Sequence, residues 1–277
     1  MKKYTGLWIA AAIILCIGIS LTVAGAASGA TQIIKNSGGF FERIADFMES
    51  NILEHNQSAE IIDISDNTAE IKVLNINLEG YAVALKPTNK NDMSIKYKYA
   101  TDNDHPNVSI NNENGIMTIT GVNNDNTIKN QVIEIFIPKK ASPEINIESA
   151  NSAISVEELS LVSLTCSSNN AAISVEEVRC SKTVSLTTSN ALISVDEINA
   201  DAITIKTDTG IINFDSLNFN NLDITNITGA INGELEDRSI YTVTTIHNGN
   251  TETVGTGNKT VNITNETGII NIDYDDE

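Results

Sequence analysis

A unit of about 20 residues recurs through the second half of the chain and constrains the fold more than any other feature. AISVEE stands at 153–158 and again at 172–177, and LISVDE follows at 192–197. Aligned on a short turn followed by isoleucine, the units read NSAI at 151–154, NAAI at 170–173 and NALI at 190–193. TGII at 209–212, TGAI at 228–231 and TGII at 267–270 continue the series. The isoleucines at 154, 173, 193, 212, 231 and 270 are 19, 20, 19, 19 and 39 residues apart, and the last gap is close to two periods. A second apolar column precedes the turn at Leu164, Leu186, Ile205, Ile224 and Ile263. A third follows it at Leu159, Val178, Ile198 and Leu217.

A period near 20 without helical spacing fits one coil of a parallel β-solenoid per unit. Strands of successive coils would pair about 4.8 Å apart, with isoleucine on isoleucine inside. One coil cannot bury its own apolar face, so each must repeat the same inward and outward residues. Ser152, Ala171, Ala191, Gly210, Gly229 and Gly268 are small, as a tight corner requires. Asn151, Asn170 and Asn190 are expected to stack into a corner ladder that Thr209, Thr228 and Thr267 continue. Such a ladder satisfies corner hydrogen bonds and is structural rather than a binding site.

The expected fold class is all-β, with the parallel β-solenoid over 142–277. An N-terminal β region at 58–141 precedes it, where EIKVLNINLEG, MSIKYKYA, IMTITG and QVIEIFIP alternate between Asn, Asp, Gly and Pro clusters. Two helical segments come first. Residues 1–6 are expected in the cytoplasm and 7–29 as a transmembrane helix. Lys2 and Lys3 precede an uncharged run from Leu7 to Ala27, which as a helix spans about 30 Å. The positive-inside rule then sends the rest of the chain outside. A cleaved signal peptide is the competing reading, because Ala24, Ala26, Ala27 and Ala30 are small residues of the cleavage-site type. In the juxtamembrane segment 30–57, Phe41, Ile44, Met48 and Ile52 fall at roughly helical spacing. That predicts a short amphipathic helix, lying on the membrane or capping the next domain.

Composition excludes several functions. The chain is 41% hydrophobic but only 5% aromatic, which favours a narrow, regularly stacked interior of Ile, Val, Leu and Ala. A net charge of −19, with arginine only at Arg43, Arg179 and Arg238, argues against nucleic acid as a partner. Cys16 lies in the apolar N-terminal run. Cys166 and Cys180 are no disulfide framework and read as small, half-buried residues. No CxxC or Cys/His cluster suggests zinc. HExxH, GxSxG and phosphate-loop patterns are absent. The basic residues of the coils, Arg179, Lys182 and Lys206, are too dispersed for a carboxylate-and-base site acting on polysaccharide. The expectation is a non-catalytic chain without a cofactor.

The outward chemistry is acidic. Glu157, Glu176, Asp196 and Asp215 hold one position in successive coils, and Glu158, Glu177 and Glu197 hold the next. Stacked like charges destabilise unless compensated. Splayed, hydrated side chains are the plainer expectation. A divalent cation held by the clustered oxygens is the sharper one. The acidic end DYDDE is expected to guard the last open edge against strand addition. The sequons at Asn226, Asn262 and Asn265 matter only in a eukaryotic secretory pathway.

A membrane segment, then strands, then coils of the form small turn, Ile, x, Val/Phe/Ile resemble the bacterial putative-adhesin family of β-strand repeat proteins. That family is related to the toastrack domains of cell-envelope stress systems. The resemblance covers about 60–277 and implies an extracytoplasmic, membrane-tethered solenoid with no catalytic residues. Members often carry Gly-Asp at the corner. This chain has Asn-Ser, Asn-Ala or Thr-Gly there, so no role of that Asp carries over. The expectation is a single-pass protein of the cell membrane in a Gram-positive-type bacterium, N-terminus cytoplasmic. It would meet a protein or a cell-wall polymer through flat solenoid faces. The alternative is a sensor or scaffold for a membrane-embedded signalling or transport partner under envelope stress.

Overall fold

Alternation of apolar and polar residues makes each repeat a set of strands, and parallel pairing stacks them. The computed structural model describes residues 58–64, 71–99, 107–123, 132–236 and 238–274. The expected cytoplasmic end, transmembrane helix and juxtamembrane helix at 1–57 lie outside the described residues.

Ahead of the repeats come β1 (Ser58–Ile64), β2 (Val73–Glu79), β3 (Ala82–Thr88) and β4 (Met93–Tyr99). They are followed by β5 (Val108–Glu113), β6 (Ile116–Val122) and β7 (Val132–Pro138). The first repeats supply β8 (Glu144–Ser149), β9 (Ile154–Glu157), β10 (Ser160–Leu161), β11 (Ser163–Ser168) and β12 (Ile173–Glu176). Next are β13 (Arg179–Cys180), β14 (Thr183–Thr188), β15 (Leu192–Asp196), β16 (Ala202–Phe214) and β17 (Asn221–Leu235). A 3-10 turn at Arg238–Ile240 leads into β18 (Tyr241–His247), β19 (Asn250–Val254) and β20 (Lys259–Tyr274).

Each coil presents up to three ladders. Face A runs β6, β2, β8, β11, β14 and the first halves of β16, β17 and β20, then β18, all parallel. Face B runs β7, β3, β9, β12, β15 and the second halves of β16, β17 and β20. Face C is narrow: β10 pairs with β13, and single bridges at Asn199 and Asn218 extend it. The parallel solenoid expected from the period is the observed architecture.

The interior is a set of apolar columns. Ile154, Ile173, Ile193, Ile212 and Ile231 stack on face B and are all buried. Burying such a side chain contributes about 1.5–3 kcal/mol, so the columns dominate cohesion. Volume is balanced between coils. Phe214 sits opposite Gly233, where an added Cβ would come within 2.2 Å of the Phe214 ring. A residue larger than glycine at 233 has no room.

Three expectations need correction. The second apolar column does not contain Leu164, which stacks on Ile145 and Val184. Cys166 holds that place, between Ile147 and Leu186. A buried thiol packs as a small apolar group, so Cys166 and Cys180 are fully rather than half-buried. The gap of 39 residues is not two coils, because Ile231 pairs directly with Ile270. The extra residues form the turn and the β18–β19 hairpin, and β20 slots between β17 and β18. β2 pairs with β8 and β3 with β9, so the region 58–141 and the repeats 142–277 share one stack.

Candidate interaction surface

The corner between faces A and B is polar inside and out. Outside, Asn170 Nδ2 donates to Asn151 Oδ1 at 2.8 Å, and Asn190 Nδ2 donates to Asn170 Oδ1 at 2.9 Å. Thr209, Thr228 and Thr267 stack in register in the following coils. Two residues earlier lies a column that the sequence reading missed: Ser149, Ser168, Thr188, Thr207, Asn226 and Asn265, all buried and in register. Its signal was a hydroxyl or amide two residues before each Asn or Thr of the ladder.

This column ties the corner backbone together. Ser149 Oγ donates to Ser152 O at 3.0 Å, and Thr188 Oγ1 donates to Ala171 O at 3.3 Å. Asn226 Nδ2 donates to Gly210 O at 3.0 Å, and Asn265 Nδ2 donates to Gly229 O at 3.2 Å. His247 lies opposite Asn265 on β18 and ends the series, its Nε2–H donating to Gly268 O at 2.8 Å. Asn226 and Asn265 are both sequon residues. Their complete burial leaves no folded-state access for modification.

The corner between faces B and C carries the acidic rows. Glu157, Glu176 and Asp196 pair in register, and Asp215, just past the end of β16, follows in the next coil with its N–H donating to Val195 O. Glu234 and Asp273 extend the same row. The next row, Glu158, Glu177, Glu197 and Ser216, adopts positive φ of 50–54°. That left-handed turn is where the chain leaves face B. It costs about 1–2 kcal/mol for a residue with a Cβ.

Among the described residues, charge compensation in these rows is confined to the first rung. Lys86 Nζ lies 3.9 Å from Glu157, Ser155 Oγ donates to Glu157 at 2.7 Å, and Lys139 lies 4.0 Å from Glu158. Further along, burial raises the Glu176 carboxyl above its ordinary range, and the charges of Asp196 and Glu157 add to the effect. Asp196 is raised likewise, first by burial and then by Asp215. Among the described residues, no three His, Cys, Asp or Glu side chains converge to hold a metal ion. The row is linear, one carboxylate per coil, and does not surround a point as a calcium shell does.

Between these corners, face B presents an even outward row: Ser155, Ser174, Ser194, Asn213, Asn232 and Asn271. Its last three members form an amide ladder. Asn232 Nδ2 donates to Asn213 Oδ1 at 3.0 Å, and Asn271 Nδ2 donates to Asn232 Oδ1 at 2.9 Å. Small polar side chains in register, half-buried except for the buried Asn232, make this face flat, suited to contact over area rather than to enclosing a small molecule.

The Toastrack DUF4097 family model matches residues 62–274. No curated protein matches the chain. Among solved structures, a putative cell adhesion protein from Clostridium sporogenes ATCC 15579 is similar at 15% identity and a TM-score of 0.37, over 79% of this chain and 100% of that one. A putative adhesin from Parabacteroides distasonis ATCC 8503 shows 11% identity and a TM-score of 0.29, over 78% and 98%. One from Parabacteroides merdae ATCC 43184 shows 12% identity and a TM-score of 0.24, over 79% and 97%.

Proposed function

The chain belongs to the Toastrack DUF4097 family, and we propose that it is a non-catalytic interaction protein held outside the cell membrane. The apolar segment 7–29 anchors it, with Lys2 and Lys3 inside. The solenoid meets a protein or a cell-wall polymer through face B. The observation that carries this reading is the in-register outward row from Ser155 to Asn271, bordered by acids.

The test is photo-crosslinking in cells from Ser155, Ser174 and Ser194, with mass spectrometry of what is captured. Wall polymer or a foreign-surface molecule is the expected capture for an adhesin-like role. An integral membrane kinase or transporter would replace that role with envelope sensing or scaffolding. No capture above background would overturn the face B reading. Membrane anchoring is checked separately. The chain should sediment with membranes, and external protease should remove the solenoid while leaving a short N-terminal fragment.

A further inference from the structure

The ends of the stack are not closed alike. At its start, face A ends on β5, antiparallel to β6, and face B ends on β4, antiparallel to β7, and then β1, antiparallel to β4. At the far end, face A ends on β19, antiparallel to β18. Tyr241, the first residue of β18, stacks its ring on Phe219 at 5.6 Å. Face B stops at a parallel strand. Among the described residues, no strand lies beyond Thr267–Tyr274 of β20.

That last strand is built like an interior one. Ile270 continues a column whose members Ile212 and Ile231 are fully buried, yet it is only half-buried itself. Ile272 and Tyr274 are half-buried too, and Ile269 is 39% exposed. The amide ladder points the same way. Asn271 donates back to Asn232, and among the described residues nothing donates to its own Oδ1 at the edge. A row of backbone N–H and C=O groups over an apolar rim is a template for one more strand.

We propose that this edge takes up an extended strand from a basic partner protein. A second copy of the chain does not suit it. Face A projects two strands, β18 and β19, beyond β20, about 10 Å, and this step would collide with a symmetry-related edge. Each copy also carries a net charge of −19. The edge itself is acidic, with exposed Glu266 and Asp273 flanking it and Glu234 beside Asp273. No lysine or arginine occurs from 207 to 237 or from 260 to 277. The matching strand has about six residues. Its alternate apolar side chains cover Ile270 and Ile272, an amide or hydroxyl donor meets Asn271, and Lys or Arg stands at each end. This deepens the proposed interaction role by naming the partner's chemistry.

The experiment uses the full chain and a fluorescein-labelled peptide, KTGIINIKY, which copies 266–274 with lysine in place of the two acids. Binding is read by fluorescence anisotropy. The acidic parent ETGIINIDY, and KTGIINIKY N-methylated along the edge that would face β20, serve as controls. KTGIINIKY should bind about tenfold or more tightly than either control. Asn271→Ala should weaken it several-fold, while Ser109→Ala, on exposed β5 at the opposite end of the stack, leaves it unchanged. No binding, or equal binding of all three peptides, overturns the proposal. So does a dimer of the chain that displaces the peptide, which would make a second copy the occupant. Peptide failure alongside specific capture from Ser174 sinks the edge and leaves the face B reading standing.

Discussion

Gly229→Ala tests the stacking argument most directly. Gly229 has φ of 140°, and a Cβ added there would sit 1.9 Å from the carbonyl oxygen of Gly210. Ala171 and Ala191 hold the equivalent place in earlier coils, so side-chain size alone is not the obstacle. The difference is backbone path. In the Asn-Ala coils the strands of faces A and B are separate, whereas β16, β17 and β20 run unbroken through the corner. An L-residue held at that φ costs about 1–3 kcal/mol. Relieving the overlap by moving the backbone costs about 1–3 kcal/mol more. That shift also weakens the Asn226–Gly210 bond, worth about 1 kcal/mol. Together these reach a large part of the 5–15 kcal/mol typical of a folded domain. Because coils contact only neighbours, the damage should concentrate in β16, β17 and β20. Urea unfolding and amide hydrogen exchange measure both size and place. Ala191→Gly is the control and should cost no more than about 1 kcal/mol. The reasoning fails if Gly229→Ala unfolds within about 0.5 kcal/mol of the unaltered chain, or if Ala191→Gly is equally damaging.

Glu176→Gln and Asp196→Asn should each stabilise the chain at pH 7. Both carboxyls bind a proton more readily folded than unfolded. Their ionised forms therefore lower stability above the folded pKa, and the penalty lifts as pH falls through it. The gain in urea midpoint should vanish in acid, and a gain that persists there would exclude charge as its cause. Burial pushes the Cys180 thiol up to about 12 and raises Cys166 as well. Both should resist alkylation in the folded chain and react only in denaturant, and labelling of either in the native state would contradict this packing. Removing 273–277 deletes Asp273 from the edge together with the acids that follow it in sequence. It should raise self-association, seen by light scattering, and unchanged monodispersity would show that the acidic end is no guard.

The fold was legible wherever a constraint repeated. Ile154, Ile173 and Ile193 must match because each packs on the next, so a short sequence comparison finds them. Cys166 was misplaced because the column search expected a branched side chain, while the core asks only for an apolar volume between Ile147 and Leu186. The β18–β19 hairpin was illegible for a different reason. It occurs once, and spacing alone does not distinguish an inserted hairpin from a missing coil. The strand order in which β20 enters between β17 and β18 is likewise set by non-local pairing that no local pattern encodes.

The surface was legible in position but not in consequence. The acidic rows and the Asn–Thr ladder fall where the register puts them, yet their chemistry depends on what stands beside each rung. Glu157 has Lys86 and Ser155 as neighbours. Glu176, in the same row, has mainly other carboxylates. A repeat therefore specifies identical backbone settings and leaves the electrostatics to the ends, where a strand such as β3 brings in a lysine. The same logic explains the buried column. Serine suffices while the strands of faces A and B are separate. On β17 and β20, which run continuously through a glycine corner, the longer amide of Asn226 or Asn265 reaches across to the carbonyl of the coil below, whereas on the equally continuous β16 the Thr207 hydroxyl bonds nothing among the described residues. At the last coil no further asparagine follows, and His247 of the hairpin bonds Gly268 instead. Face A thus ends with the Gly268 carbonyl met by the hairpin, whereas the amide ladder on face B ends at Asn271, which donates back to Asn232.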